Sequence, residues 1–349
     1  MPAAPAVPFQ PVASVTLRMV AQAAGVSMTT ASRVINNSPL VKPATRAAVN
    51  AVIERLGFVP NVVARALAAD AHGRQGVDTH TIGLVAQHFA SPYYAQLLRG
   101  IDEALSAAGF GLAVASGHWD RAEEEQCVRN LRSRGVSGLI VLTGQLGDDF
   151  LTALAAELPV VVTGRSLAAP GLHALRSDDF EGARAATRHL IERGHTRIAH
   201  IAGDPRHPDS LDRERGYRAA LLDAGLAPDP ALVATGDYRE ASGERAAEQL
   251  LQGGKPFTAI FAANDQMATG AAQALYRHGL CVPDDVSLVG FDDIPMAAHA
   301  TPPRTTVSLS IPDLGRRAAE AMLQLLDGGQ PTVAAPEPEL VMRASVRRV

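Results

Sequence analysis

"AQAAGVSMTTASRVINN", residues 21–37, sets four alanines, a glycine and a run of hydroxyls and amides between two apolar stretches. Leu17, Val20, Ala21 and Ala24 recur at the i, i+3, i+4, i+7 spacing of one helical face. Gly25 then supplies the backbone freedom of a tight turn, with Val26 placed to plug the core beneath it. Ser27 suits the cap of a second helix whose inner face is Ala31, Val34 and Ile35, which leaves Met28, Thr29 and Arg33 outward. A third stripe, Val49, Val52, Ile53 and Leu56, follows Pro43, a residue favoured at the first helical position. Small residues at Ala21 and Ala31 let the first two helices cross closely. This is the pattern of a helix-turn-helix, whose short second helix protrudes far enough to enter a major groove; a generic three-helix bundle has the same spacing.

Charge adds to the first reading. Residues 15–69 hold Arg18, Arg33, Lys42, Arg46, Arg55 and Arg65 against Glu54 alone, a balance of +5 within a chain of net charge −4, so the remainder carries −9. A basic head on an acidic body is the electrostatic footprint of a nucleic-acid module joined to something else. At 349 residues and 47% apolar content the chain exceeds one ordinary domain. No apolar run is long enough to span a bilayer and no secretory pattern opens the chain, so a cytoplasmic protein is expected. Cys127 and Cys281 are far apart and lack neighbours at ligand spacing, which predicts two reduced, buried thiols and no metal site.

The stretch "VTLRMVAQAAGVSMTTASRVINNSPLVKPATRAAVNAVIERLGFVPNVVARAL" resembles the DNA-binding headpiece of the LacI/GalR family of bacterial transcription regulators. The similarity continues through "TIGLV", "SPYYAQLLRGIDEAL", "HLIERGHTRIAHIAG", "AIFAANDQMATGAAQAL", "VSLVGFDDIP" and "TPPRTTV". Met19, Ala31 and Lys42 depart from the family's usual aspartate, valine and serine, which bears on the helix caps. The resemblance implies that Met28, Thr29 and Arg33 read bases: Arg takes guanine bidentately, Thr meets a polar edge or a thymine methyl, and Met offers apolar contact. Ser27, Thr30, Asn36 and Lys42 fall where phosphates are held. It also implies a hinge in "PNVVARALAAD", where Asn61 caps a helix and Leu67 is the wedge that enters the minor groove. A piece of about nine residues is too short to be a stable helix alone, so hinge folding and DNA binding are expected to be one event.

Residues 81–349 alternate apolar strands with amphipathic helices. The expected strands are "TIGLVA", "GLAVAS", "GLIVLT", "PVVVTG", "RIAHIAG", "ALVATG", "TAIFAAN" and "VSLVGFD". That rhythm predicts parallel sheets covered on both faces. No GxGxxG, Walker loop or nucleophile elbow follows any of them. The resemblance implies a fold with an N-terminal all-α helix-turn-helix headpiece and hinge helix, then an α/β periplasmic-binding-protein-like core of two doubly wound parallel-sheet lobes. The expected divisions are a tail at 1–14, the DNA-binding domain at 15–60, hinge and linker at 61–80, and a two-lobed effector and dimerisation domain at 81–349.

Ligands of open sheets sit beyond strand C-termini. There the resemblance carries over Arg213, Asn264 and Asp292 as effector contacts, and Tyr238 as a residue that stacks on a ring face. Tyr93, Tyr94 and Arg165 are further candidates from the other lobe, with Asp178 from a family Asp-Asn-x-x-Gly motif in which Asp179 replaces the Asn. His195 is expected to be structural.

Three classes of function compete. A ligand-controlled repressor explains head, hinge and cleft together; a transport protein would need an export signal and no head; an enzyme would need an activated nucleophile or acid–base pair at the cleft. The first is adopted: a non-enzymatic regulator, without cofactor, whose partners are an operator duplex, a small effector and a second copy of the chain. A sugar is the first choice of effector, and a purine or another small metabolite the second. No leucine-heptad tail follows "LVMRASVRRV", which favours a dimer over a tetramer.

Overall fold

The computed structural model describes residues 15–35, 38, 40–56, 58 and 79–349. The chain divides into two compact units, Met1–Val77 and Asp78–Val349.

In the first unit, α1 (Leu17–Ala23), α2 (Met28–Ile35) and α3 (Pro43–Leu56) form the expected three helices. Thr16 Oγ1 accepts the Met19 N–H at 3.4 Å, so α1 is capped without an acid at position 19. Gly25 has φ +65°, and a Cβ there would meet nothing within 4 Å; backbone conformation, not space, selects glycine. Ser27 Oγ accepts the Thr30 N–H at 3.1 Å, the cap read from the sequence. Val20, Val34, Val49 and Val52 meet in the core, each worth roughly 1.5–3 kcal/mol when removed from water.

The second unit holds two parallel sheets. The first runs β2-β1-β3-β4-β5, with β1 (Thr81–Ala86), β2 (Gly111–Ser116), β3 (Gly138–Val141), β4 (Val160–Thr163) and β5 (Leu172–Leu175). The second runs β7-β6-β8-β9, with β6 (Ile198–Ala202), β7 (Val233–Thr235), β8 (Ala259–Ala262) and β9 (Ser287–Val289). Strands such as β4 and β8 are buried at every position, which is why they read as continuous apolar runs. Helices α4 (Pro92–Ala107), α5 (Arg121–Ser133), α6 (Asp148–Ala155) and α12 (Ile311–Leu326) serve the first sheet. Between them in the chain, α7 (Asp179–Glu192), α8 (Pro208–Asp223), α9 (Glu240–Gln252) and α10 (Asp265–Arg277) serve the second, and the short α11 (Pro295–His299) follows β9. An antiparallel pair, β10 (Thr306–Ser308) and β11 (Glu339–Val341), lies where the chain crosses back between the halves.

All eight strands expected from the sequence form; β5, β10 and β11 were not expected. The cysteine reading needs correction: Cys281 is exposed and Cys127 half-buried, its Sγ 3.3 Å from the Ser116 carbonyl. His195 is structural, with Nδ1 2.8 Å from Thr258 Oγ1 and Nε2 3.3 Å from the Arg347 carbonyl. Among the described residues no helix is long and apolar enough to cross a membrane.

Candidate functional site

The head presents α2 outward. Met28, Thr29 and Arg33 are exposed, and Met28 at 54% exposure is no packing residue within this unit. Lys42 is exposed just before α3, and the Ser27 and Thr30 hydroxyls lie 2.9 Å apart. Arg46 Nη2 donates to the Ser38 carbonyl at 2.6 Å, tying the first turn of α3 to the segment after α2. Asn36, Asn61 and Leu67 lie outside the described residues, as does the hinge through residue 78.

The second unit contains a cavity of about 740 Å³ lined by loops at the strand C-termini of both sheets. Close helix packing fixes one wall. A Cβ at Gly270 would stand 1.8 Å from the Glu240 carbonyl oxygen, so α9 and α10 cross nearly in backbone contact. The loops that start them are thereby held together: Asn264 Nδ2 donates to the Tyr238 carbonyl at 3.0 Å, and Asn264 Oδ1 caps α10 by accepting the Met267 N–H at 2.9 Å. Tyr238 and Asp292 hold left-handed backbones, φ 69° and 101°, which non-glycine residues adopt only where surrounding structure imposes it.

Arg213, on α8, is the charged pole of this cavity and is almost wholly buried. Its Nε donates to Asp179 Oδ1 at 2.8 Å and its Nη1 to the Ala263 carbonyl at 2.5 Å. Nη1 also lies 3.3 Å from Asp292 Oδ1, Nη2 lies 3.8 Å from Asp209 Oδ2, and the guanidinium sits 3.9 Å over the Phe291 ring. Three carboxylates thus share one cation. Burial pushes the Asp179 carboxyl up to about 6, against the pull of Arg213, and pushes Asp292 well above its ordinary value. Burial opposes the charge on Arg213, but the carboxylates outweigh it and hold the guanidinium protonated. Burial, then Asp292, raises the Tyr93 hydroxyl, which stays protonated. Asp209 Oδ1 is buried with no hydrogen-bond donor among the described residues, and Asp292 Oδ1, also buried, has its 3.3 Å ion-pair contact with Arg213 but no further hydrogen bond among them. A ligand rich in donors is what such oxygens need.

Six of the eight effector residues expected from the sequence line this cavity: Tyr93, Tyr94, Arg213, Tyr238, Asn264 and Asp292. Two stand outside its lining. Arg165 donates to the Gly144 and Leu146 carbonyls at 2.8 and 2.7 Å and pairs with Asp148, steadying the loop that follows β3. Asp178 is the N-cap of α7, accepting the Glu181 N–H at 3.0 Å, and its neighbour Asp179 is the carboxylate that reaches Arg213. Sequence reasoning did not single out Asp209, Trp119 or His207, all of which line the cavity. Asp209 had a signal in its i, i+4 spacing from Arg213. Trp119 had one too, as the sole tryptophan, set in the polar loop "SGHWDR".

A family model for bacterial regulatory proteins of the lacI family matches residues 16–61, and one for a periplasmic binding protein-like domain matches residues 187–346. Over 313 residues the chain is 36% identical to the HTH-type transcriptional regulator GalR of Escherichia coli strain K12, covering 89% of each chain. Among solved structures it resembles a complex of the transcriptional regulator CelR with cellobiose, 38% identical at a TM-score of 0.70, covering 95% of this chain and 99% of that one. It also resembles the lac repressor dimer bound to operator and the anti-inducer ONPF, 29% identical at a TM-score of 0.80, covering 96% and 99%.

Proposed function

This chain belongs to the LacI family of bacterial regulatory proteins, and from that premise we propose that it grips a palindromic operator as a cytoplasmic homodimer whose affinity is set by a sugar bound in the core cavity. It is a DNA-binding transcription regulator, not an enzyme. In this reading residues 15–60 are the DNA-binding domain, 61–80 the hinge and linker, and 81–349 the effector and dimerisation domain. Met28, Thr29 and Arg33 read bases, Ser27, Thr30, Asn36 and Lys42 hold phosphates, and Asn61 and Leu67 serve the hinge. Tyr93, Tyr94, Arg213, Tyr238, Asn264 and Asp292 face the effector, joined by Asp209; Arg165 and Asp178 steady the loops around it.

The observation that carries the sugar assignment is the pair of buried carboxylate oxygens left short of hydrogen bonds, Asp209 Oδ1 and Asp292 Oδ1, with Asp209 bonded through its other oxygen to the Tyr238 hydroxyl. Sugar hydroxyls donate to carboxylates, and the C–H face of a pyranose packs on an aromatic ring. The CelR complex with cellobiose supports the same class. A thermal-shift screen of saccharides and nucleobases on the full chain tests it. A ligand at about 100 times its Kd adds about 2.7 kcal/mol of stability, and a response to nucleobases alone would replace the sugar by the second choice.

A further inference from the structure

Trp119, the chain's one tryptophan, stands on the first-sheet side of the cavity with its ring centroid 3.5 Å from that of His207 and the planes 17° apart. His207 also stacks on Tyr238, at 5.1 Å and 24°. Three rings therefore run in series from one half of the core unit to the other. The Tyr238 hydroxyl reaches Asp209 Oδ2 at 3.3 Å, which joins this row to the charged pole around Arg213.

All three residues are anchored through their backbones, and the rings differ in what else holds them. The backbone N–H of Trp119 donates to Oε1 of the buried Gln87 at 2.8 Å, and Asp120, the next residue, caps α5. His118 and Trp119 both take left-handed backbones, φ 51° and 59°, an unfavourable pair of conformations that aims the indole into the cavity. Tyr238 is tied through its carbonyl to Asn264. The His207 backbone N–H likewise donates to the Asp204 carbonyl at 3.0 Å, but its imidazole makes no hydrogen bond among the described residues, and α8, which it precedes, has no side-chain cap. Burial lowers its pKa, so it sits neutral and is held by ring contact. A ring kept between two others by stacking can give way to another flat group that packs there as well.

We propose that the slot between Trp119 and Tyr238 is a second saccharide subsite, that His207 fills it as a displaceable stand-in, and that the effector is therefore at least a disaccharide. One ring rests on the Arg213 pole and the next packs its C–H face on Trp119. Asp204, Arg206, Arg239 and Glu240 line the same cavity and offer charged partners for the second ring's hydroxyls. A volume of about 740 Å³ lies in the range that holds drug-sized ligands rather than one small ring. The proposal rests on the sugar-effector reading and extends it.

The sole tryptophan makes the test direct. The full chain is titrated with a panel of disaccharides (cellobiose, lactose, maltose, melibiose) and with glucose and galactose, following Trp119 emission and, in parallel, heat by calorimetry. A disaccharide should shift the emission saturably and bind at least tenfold tighter than either monosaccharide. Trp119→Ala should lower disaccharide affinity tenfold or more while changing monosaccharide affinity less than twofold. His207→Ala should raise disaccharide affinity severalfold, because the competing ring is gone, whereas a histidine needed as a structural prop would lower affinity for every ligand. Monosaccharides binding as tightly as disaccharides, or Trp119→Ala weakening both equally, would overturn the second subsite and leave the sugar reading standing. Heat from no saccharide at all would remove both. Should Trp119→Ala fail to fold, His207→Ala decides by the sign of its effect.

Discussion

Arg213→Ala tests whether one buried cation offsets the carboxylates gathered around the cavity. In the native protein one guanidinium contacts Asp179, Asp209 and Asp292 inside the core unit. Removing the cation while the carboxylates stay buried should cost about 3–5 kcal/mol near neutral pH, the loss seen when one partner of a buried pair is deleted. In a unit of this size that corresponds to a fall in Tm of about 6–20 °C. The pH dependence is the sharper test. A carboxyl whose folded pKa is raised above its unfolded value destabilises the fold at high pH, and stability is regained as pH falls through the folded pKa. Asp179 already stands at about 6 and Asp292 well above its ordinary value, so losing Arg213 lifts both further. Between pH 7.5 and 5.5, each carboxyl that the variant keeps protonated recovers about 2.7 kcal/mol. Scanning calorimetry of wild type and variant at the two pH values should therefore show a deficit that narrows in acid. A deficit that is constant or grows on acidification would refute the charged-pole account.

Five further outcomes are expected. Arg33→Ala should lower affinity for the cognate operator by about 1–3 kcal/mol and relax preference at one base pair per half-site, whereas Lys42→Ala should weaken all duplexes alike and reduce the salt slope by about one unit per site; selection from random duplexes followed by salt titration checks both. Ser27→Ala removes the α2 cap and should cost about 1 kcal/mol in the head, read from its thermal unfolding. Asp292→Asn keeps the side-chain volume but changes the acceptor, so the variant should still bind operator and lose its response to effector in a gel-shift titration. Effector binding should release protons in the region where the burial-raised Asp292 carboxyl titrates, because donors from the ligand favour its ionised form. Affinity therefore rises with pH through that region and levels off above it, measured by calorimetry in buffers of different ionisation enthalpy.

Short-range patterns carried most of the architecture. The head was legible because its helices, turn and caps are each decided within a few residues, as at Gly25 and Ser27. Strands such as β4, with the sequence VVVT, were legible because burial on both faces writes an unbroken apolar run. The missed β5 reads LHAL, without a β-branched residue, and is a strand because β4 pairs with it. The three-residue β10 and β11 meet across a long connection that contains α12, so no local window contains both.

The site divides along the same line. Asn264 and Asp292 sit in motifs, but the choice between Asp178 and Asp179 depends on where α7 starts. The N-cap turns back to the Glu181 N–H, and the first helical residue projects to Arg213. The carboxylates around that arginine come from α7, α8 and the loop after β9, and the ring row from loops of two sheets. Such groups become a site only when the tertiary fold brings them together. Their arrangement also explains why binding and stability cannot be fully separated here. Carboxylate oxygens left short of hydrogen bonds at Asp209 and Asp292 are tolerated because both groups share a guanidinium that is anchored on Asp179, the Ala263 carbonyl and the Phe291 ring. Under the proposed function, a ligand that satisfies those oxygens and also reaches Tyr93 or Trp119 bridges the two halves of the core, and the tightening it brings is the displacement available to be passed toward the operator.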